Sequence, residues 1–304
     1  MKKLDFHVHF LDKSISVAQS ARYLNDMCER KGYEGVGLVA VSFDTSAAHP
    51  DCNEKALALK GMIPGSFAFA ALHRDRDFVE QTEEYMAGDF SGIKLLGGKP
   101  SLYRHFGYGY EHPRYEPFFA YCEKYGVPLL IHNNDPIAHW DINKATPRAI
   151  KMGWVYDETL PSQAWFFEVM EDILARHPKL KVALAHLGFY SNDLPRATAL
   201  LEKYENLVFD ITPAPIIFEE LSRTPRESEA FFRKYHDRLI FGTDADNNLV
   251  GEVREYNDTK TEMVATFLMG DAPRTIGQYS VTPISLDRHM IENIYYNNAM
   301  RFIR

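Results

Sequence analysis

Two histidines open the chain within one short run, Asp5-Phe6-His7-Val8-His9. Side chains alternate along a strand, so Asp5, His7 and His9 are expected on one face and Phe6 and Val8 on the other. Two imidazoles side by side are half of a metal site, although so short a motif also occurs as ordinary packed or surface histidines. Three further apolar runs end on groups of the same chemistry. Pro128-Leu129-Leu130-Ile131 leads to His132, Val182-Ala183-Leu184-Ala185 to His186, and Ile240-Phe241-Gly242-Thr243 to Asp244. A buried polar group costs free energy unless partnered, and an unpaired carboxylate costs most. Polar groups closing four apolar strands on one rim therefore pair with one another or share a cation. Imidazole and carboxylate ligands with open positions suit zinc first, with manganese, iron, nickel and cobalt as rivals.

The elements that must position these groups follow from apolar periodicity. Strand-like runs cover 4–10, 36–43, 66–72, 92–96, 127–132, 182–186, 207–211 and 239–243. Helical patterns near 18–31, 54–62, 77–87, 115–125, 164–176, 194–203 and 227–235 separate them. Strands alternating with helices read as βαβ units with a parallel sheet, and strands this apolar fit a sheet covered on both faces. Eight units in about 240 residues suit a closed (β/α)8 TIM barrel, class α/β, better than an open sheet. One domain is expected over residues 1–304, since no linker, repeat or low-complexity tract divides the chain. No glycine-rich phosphate loop follows any strand, which weakens nucleotide binding. Residues 103–113, 135–161 and 245–280 break the rhythm and are expected as long loops after strands four, five and eight, walling the mouth.

Several side chains near that mouth are candidates for holding substrate. Lys94 lies on the fourth strand and reads as a carboxylate partner, a carbamylated bridge between two metals, or a lysine whose stem packs while its ammonium reaches the rim. Arg74, after the third strand, and Arg104 are candidates for an anionic group. His105 and Trp140 lie in loops that overhang the mouth. His49, His112, His177, His236 and His289 are expected mostly at the surface.

Composition sets the outer bounds. The 304 residues are 45% apolar and 25% charged, ordinary for a globular protein, and the net charge of −8 gives no broad basic footprint for nucleic acid or anionic membrane. No apolar stretch reaches the ~20 residues of a membrane helix, and Met1-Lys2-Lys3 leads into a strand-like run rather than a signal peptide. Cys28, Cys52 and Cys122 are scattered, in no CxxC spacing, which argues against disulfides and fits a reducing cytoplasm. The expectation is a cytoplasmic protein acting on a small molecule, with a homo-oligomer left open.

In this order and spacing the motifs resemble the amidohydrolase superfamily, in particular its amidohydrolase-2 branch of metal-dependent TIM-barrel hydrolases and decarboxylases. The resemblance runs from the HxH through Asn53, Gly-Ile-Lys-Leu at 92–95 and Gly-Val-Pro-Leu-Leu-Ile-His at 126–132. It continues with His-Pro-Lys-Leu-Lys-Val-Ala-Leu-Ala-His-Leu-Gly at 177–188, Asn206-Leu-Val-Phe-Asp210, Gly-Thr-Asp at 242–244 and Asn298-Ala-Met-Arg301. It implies His7, His9, His132 and Asp244 as ligands of one divalent ion, with Asp244 also the base. His186 is then catalytic, or a ligand if there are two ions. Phe10 stands where some hydrolases carry an arginine that grips substrate carboxylates, and the HxH is intact where some decarboxylases have ExH. Phe10 speaks against a carboxylate-bearing substrate of that kind, while the intact HxH favours hydrolysis of a cyclic ester or amide, in the manner of a lactonase. There His186 positions the water or polarises the carbonyl. Non-oxidative decarboxylation of an aromatic or unsaturated acid, with Lys94, Arg74 or Arg104 on the carboxylate, is the alternative. A metal-bearing binding protein without turnover is the third.

Overall fold

The computed structural model describes residues 1–12, 14–42, 51–247 and 251–304, so His49 and the end of the second strand-like run lie outside the described residues. Eight strands form one parallel sheet in sequential order: β1 (Asp5–Val8), β2 (Val36–Val39), β3 (Phe67–Ala71), β4 (Gly92–Leu95), β5 (Leu129–Ile131), β6 (Val182–Leu184), β7 (Leu207–Asp210) and β8 (Leu239–Ile240). The ring closes where β1 meets the end of β8. Phe6 N donates to Phe241 O at 3.1 Å, Asp244 N to His7 O at 2.9 Å, and His9 N to Ala245 O at 2.7 Å. Helices separate the strands, as expected for a (β/α)8 barrel.

The strand period explains the two cores. Alternate residues such as Val36, Leu38, Ile93, Leu129 and Leu207 pack under the helices. Their neighbours Val39, Phe67, Phe69, Leu130, Ala183 and Ile240 fill the barrel, closed at one end by Phe302. The same alternation aims Lys94, His132 and Asp210 at the axis.

Strict alternation fails in β1. Its register against β2 shifts between Asp5 and Val8. Phe6 consequently joins the inner cluster and Val8 the cluster under the helices. Asp5 therefore does not share the face of His7 and His9; its carboxylate accepts from Thr243 N at 2.9 Å and Thr243 Oγ1 at 2.6 Å. A one-residue irregularity re-aims side chains in this way.

The three irregular stretches hold more structure than their composition suggests. Helix Pro100–Phe106 follows β4, and a 3₁₀ turn, Ile137–Trp140, and helix Pro147–Lys151 follow β5. After β8, a 19-residue helix, Gly251–Met269, and a hairpin of Arg274–Ile276 and Tyr279–Val281 occupy the stretch expected as a loop. The first half of that helix is largely polar, and its apolar anchors Met263, Val264, Phe267 and Leu268 gather late, so the period is weak. His177 is buried against Phe119 with Glu116 and Glu123 as partners, contrary to the surface expected. No helix among the described residues is long and apolar enough to cross a membrane.

Candidate active site

His7, His9 and Asp244 meet at the carboxyl ends of the strands. His7 Nε2 lies 3.1 Å from His9 Nε2, and His9 Nε2 lies 3.2 Å from Asp244 Oδ1. Among the described residues this is the one group of three or more donors near enough to share an ion, all within 4.8 Å of one another.

The partners behind the rings decide which nitrogen faces the centre. His9 Nδ1 lies 3.1 Å from Val39 O, and His186 Nδ1 lies 3.1 Å from Thr212 O. A carbonyl only accepts, so each Nδ1 carries the hydrogen, and the neutral ring keeps a lone pair on Nε2. His7 Nδ1 points to Asp210 Oδ2 at 2.7 Å, with the same consequence. Imidazoles fixed from behind by a carboxylate or carbonyl are oriented as metal ligands. Two such lone pairs and a carboxylate converge, while the adjacent donor, Lys94 Nζ, stands 3.5 Å from His7 Nε2. The donor set fits a divalent cation.

Charge and burial act together here. Burial and the Lys94 ammonium hold His7 well below the usual histidine range, so it stays neutral. Burial lowers His186 to about 4, helped by His132. Burial works to raise Asp244, but Lys260 and His9 hold it well below the carboxylate range. Asp210 is pushed up to about 6 by burial. Lys94 is brought down to about 8 by burial, against the pull of Asp210 and Asp244.

The backbone is strained where the chemistry would lie. His186 and Asp244 both have left-handed φ, 58° and 55°. Such conformations in non-glycine residues cluster at functional sites. Leu187, Gly188 and Phe189 continue the left-handed turn. Lys260 Nζ secures the turn at Asp244 by donating to its carbonyl at 2.6 Å. Gly242 is needed nearby: a Cβ there would stand 2.6 Å from Thr212 Oγ1 and 2.9 Å from His7 Cβ.

His132 sits beside this group rather than within it. Its ring packs on His186 at 5.0 Å, and its Nε2 faces Asp135 Oδ1 at 3.4 Å. Asp135 is itself a hub. Lys99 Nζ donates to both its oxygens at 2.8 and 3.0 Å, the Tyr156 hydroxyl donates to Oδ2, and His139 Nδ1 stands 4.0 Å away. The hub ties the loop after β4 to the wall after β5.

The other candidates take different positions. Arg74 and Lys94 line one pocket between β2, β3 and β4. Arg104 is exposed and donates to the carbonyls of Gly153 and Val155. His105 is exposed against Phe106, and Trp140 donates to Pro161 O at 3.3 Å. Asp210 was legible, since it ends an apolar strand as His132 does. Lys260 and Asp135 carried no signal, because their partners are remote or their stretch read as irregular.

Fold and site together define a metal-site (β/α)8 barrel of enzyme type. The amidohydrolase family model matches residues 5–304, so the chain belongs to the amidohydrolase family. Similar solved structures include the apo IDCase of Metarhizium anisopliae, at 13% identity, covering 100% of this chain and 97% of that chain, with a TM-score of 0.60. Others are a 2,6-dihydroxybenzoate decarboxylase from Rhizobium (16%, 100% and 98%, 0.57) and a zinc-bound amidohydrolase from Burkholderia multivorans (12%, 100% and 99%, 0.54). At such identities these structures show a shared fold. No curated protein matches the chain.

Proposed function

We propose that this amidohydrolase opens a small cyclic ester or amide with water, as a lactonase does. The observation that carries the reading is the orientation of His7, His9 and His186, each donating Nδ1–H backward and leaving Nε2 as an acceptor, with His7 and His9 gathered on Asp244. His7, His9 and Asp244 would hold one divalent ion, zinc first, while His132, expected as a fourth ligand, turns its Nε2 to Asp135 and stands beside the set. Bound there, the ion would act as a Lewis acid that lowers the pKa of a bound water.

The chain's own groups supply the proton path. Asp244, ionised at neutral pH, accepts the proton of the attacking water and returns it to the ring oxygen or nitrogen as the acyl bond breaks. His186, neutral with Nε2 as acceptor, orients that water; it has no second hydrogen with which to polarise a carbonyl. Burial of His186 strengthens its hold on the water.

The test is metal analysis of the purified protein followed by a panel of lactones, cyclic amides and aromatic acids. Metal-dependent ring opening without gas release is expected. Carbon dioxide from the acids, with no lactone opened, would replace hydrolysis by decarboxylation on the same site.

A further inference from the structure

His7 and His9 come from β1 and its end, and Asp244 follows β8, so the ligand group straddles the seam where the barrel closes. Ladder pairing is thin at that seam, since β8 has only two strand residues. Side chains extend it. Asp246 Oδ1 accepts from Leu11 N at 2.7 Å, and Asn247 Oδ1 accepts from Asp12 N at 3.0 Å.

Asp5 is a fully buried carboxylate in the same seam that the proposed reaction does not use. Its hydrogen-bond partners are all neutral, a costly setting for a carboxylate unless both oxygens are satisfied. Oδ1 accepts from Thr243 N at 2.9 Å and from His7 N at 3.3 Å, and Oδ2 accepts from Thr243 Oγ1 at 2.6 Å. The Thr243 hydroxyl accepts in turn from Ala245 N at 3.1 Å. An amide N–H only donates, so the hydroxyl must spend its single hydrogen on Asp5. One carboxylate thus holds, directly or through one hydroxyl, the amides on both sides of Asp244.

The backbone groups of Asp244 itself are taken as well. Its N donates to His7 O at 2.9 Å, and Lys260 Nζ donates to its carbonyl at 2.6 Å. Asp244 has φ 55°, a conformation that a residue with a side chain keeps only when its surroundings enforce it. The demand on position 5 is specific. Three donors converge on its two oxygens, and an asparagine would turn its NH2 toward at least one of them.

We propose that Asp5 is a positioning residue for Asp244: through Thr243 it locks the left-handed turn that holds the Asp244 carboxylate against His9, and so sets the affinity of the ligand group for its ion. The inference rests on the proposed reading of Asp244 as ligand and base.

The test compares Thr243→Val, which keeps the shape and removes the hydroxyl, with Thr243→Ser, which keeps the hydroxyl, and with Asp5→Asn. Zinc affinity is read by chelator competition, well below the melting temperature of each folded variant. Thr243→Val and Asp5→Asn should bind zinc at least about tenfold more weakly than wild type, as when a group behind a metal ligand is lost, whereas Thr243→Ser should stay close to wild type. Zinc-loaded, the two weakened variants should lower kcat on any lactone that wild type opens and leave KM nearly unchanged.

Wild-type zinc affinity in folded Thr243→Val and Asp5→Asn, with only a lower melting temperature, overturns the proposal and leaves Asp5 a structural residue. Equal losses in Thr243→Ser and Thr243→Val also overturn it, since the hydroxyl would then not be the link. If Thr243→Val and Asp5→Asn both fail to fold, hydrogen exchange in wild type decides. Coupling between two sites is reciprocal, so zinc should slow exchange at the Thr243 and Ala245 amides, and unchanged exchange overturns the proposal. Wild type that binds no divalent ion would overturn the metal reading and this proposal together, a result distinct from equal affinities across the series, which overturns the proposal alone. Failure of every lactone to open would remove the hydrolytic reading and leave the zinc affinities standing.

Discussion

Asp210 and His7 are joined across the barrel, Oδ2 to Nδ1 at 2.7 Å, although 203 residues separate them. Both are fully buried, and the other Asp210 oxygen accepts from Thr212 N at 2.8 Å and from its hydroxyl. The carboxylate is therefore fixed before it fixes the imidazole. Asp210→Asn would offer an amide hydrogen to Nδ1 and drive the ring hydrogen to Nε2, blocking the ligand position. We expect metal affinity to fall about 10–100-fold, read by chelator competition. Unchanged affinity would show that His7 needs no support from Asp210.

His7 Nε2 and His9 Nε2 stand 3.1 Å apart with lone pairs facing, an arrangement that a shared cation would stabilise. The His7→Ala/His9→Ala double variant should lose bound metal and activity while keeping its far-ultraviolet circular dichroism. Wild type should hold one ion per chain after dialysis. Two equivalents, with Lys94 extended by a carboxylate and His186 bound to the second ion, would contradict that count.

Asp244 and His186 should separate binding from chemistry. Asp244→Asn keeps an oxygen donor and loses the proton acceptor, so kcat should drop by a factor on the order of 10² or more with some metal retained. His186→Asn should leave metal content unchanged and lower kcat. Near-normal turnover in either variant removes that residue from the scheme.

Acid should unfold the protein partly through its buried histidines. Burial holds His132 and His186 at about 4, against an ordinary 6.5. Between those values the unfolded chain binds more protons than the folded one, so stability falls as pH drops from 6.5 to about 4. Asp5 and Asp210, pushed up by burial to about 7 and about 6, act in the opposite direction. The contribution of one histidine can be isolated by comparison. Metal-free His186→Asn should lose less stability than metal-free wild type over that window in urea titrations at each pH. Parallel losses would assign the acid sensitivity elsewhere.

Asp135 should matter for the wall rather than for the chemistry. Asp135→Ala leaves the Lys99 ammonium, 11% exposed, without its carboxylate, a change that costs about 3–5 kcal/mol for buried pairs. Denaturant unfolding should register it. The double variant Asp135→Ala/Lys99→Met should recover a good part, and no recovery would mean that Tyr156 and His132 depend on the carboxylate more than Lys99 does.

The barrel and most of its rim were legible along the chain, because both depend on periods of a few residues. Apolar runs bounded by helical patterns announce parallel strands, and a histidine or aspartate ending such a run announces its place on the rim. His7, His9, His186 and Asp244 were readable in this way, and Asp210 could have been. Other relationships depend on closure of the ring. The register shift in β1 takes Asp5 off the face of His7, a change that no local pattern marks. Thr212 O meets His186, Lys260 meets the Asp244 carbonyl, and Arg74 settles on Phe106 and Tyr108 only when distant segments pack together. The nitrogen that each histidine turns to the centre is likewise a tertiary matter, since a ring's tautomer follows the acceptor behind it, and those acceptors lie on other strands.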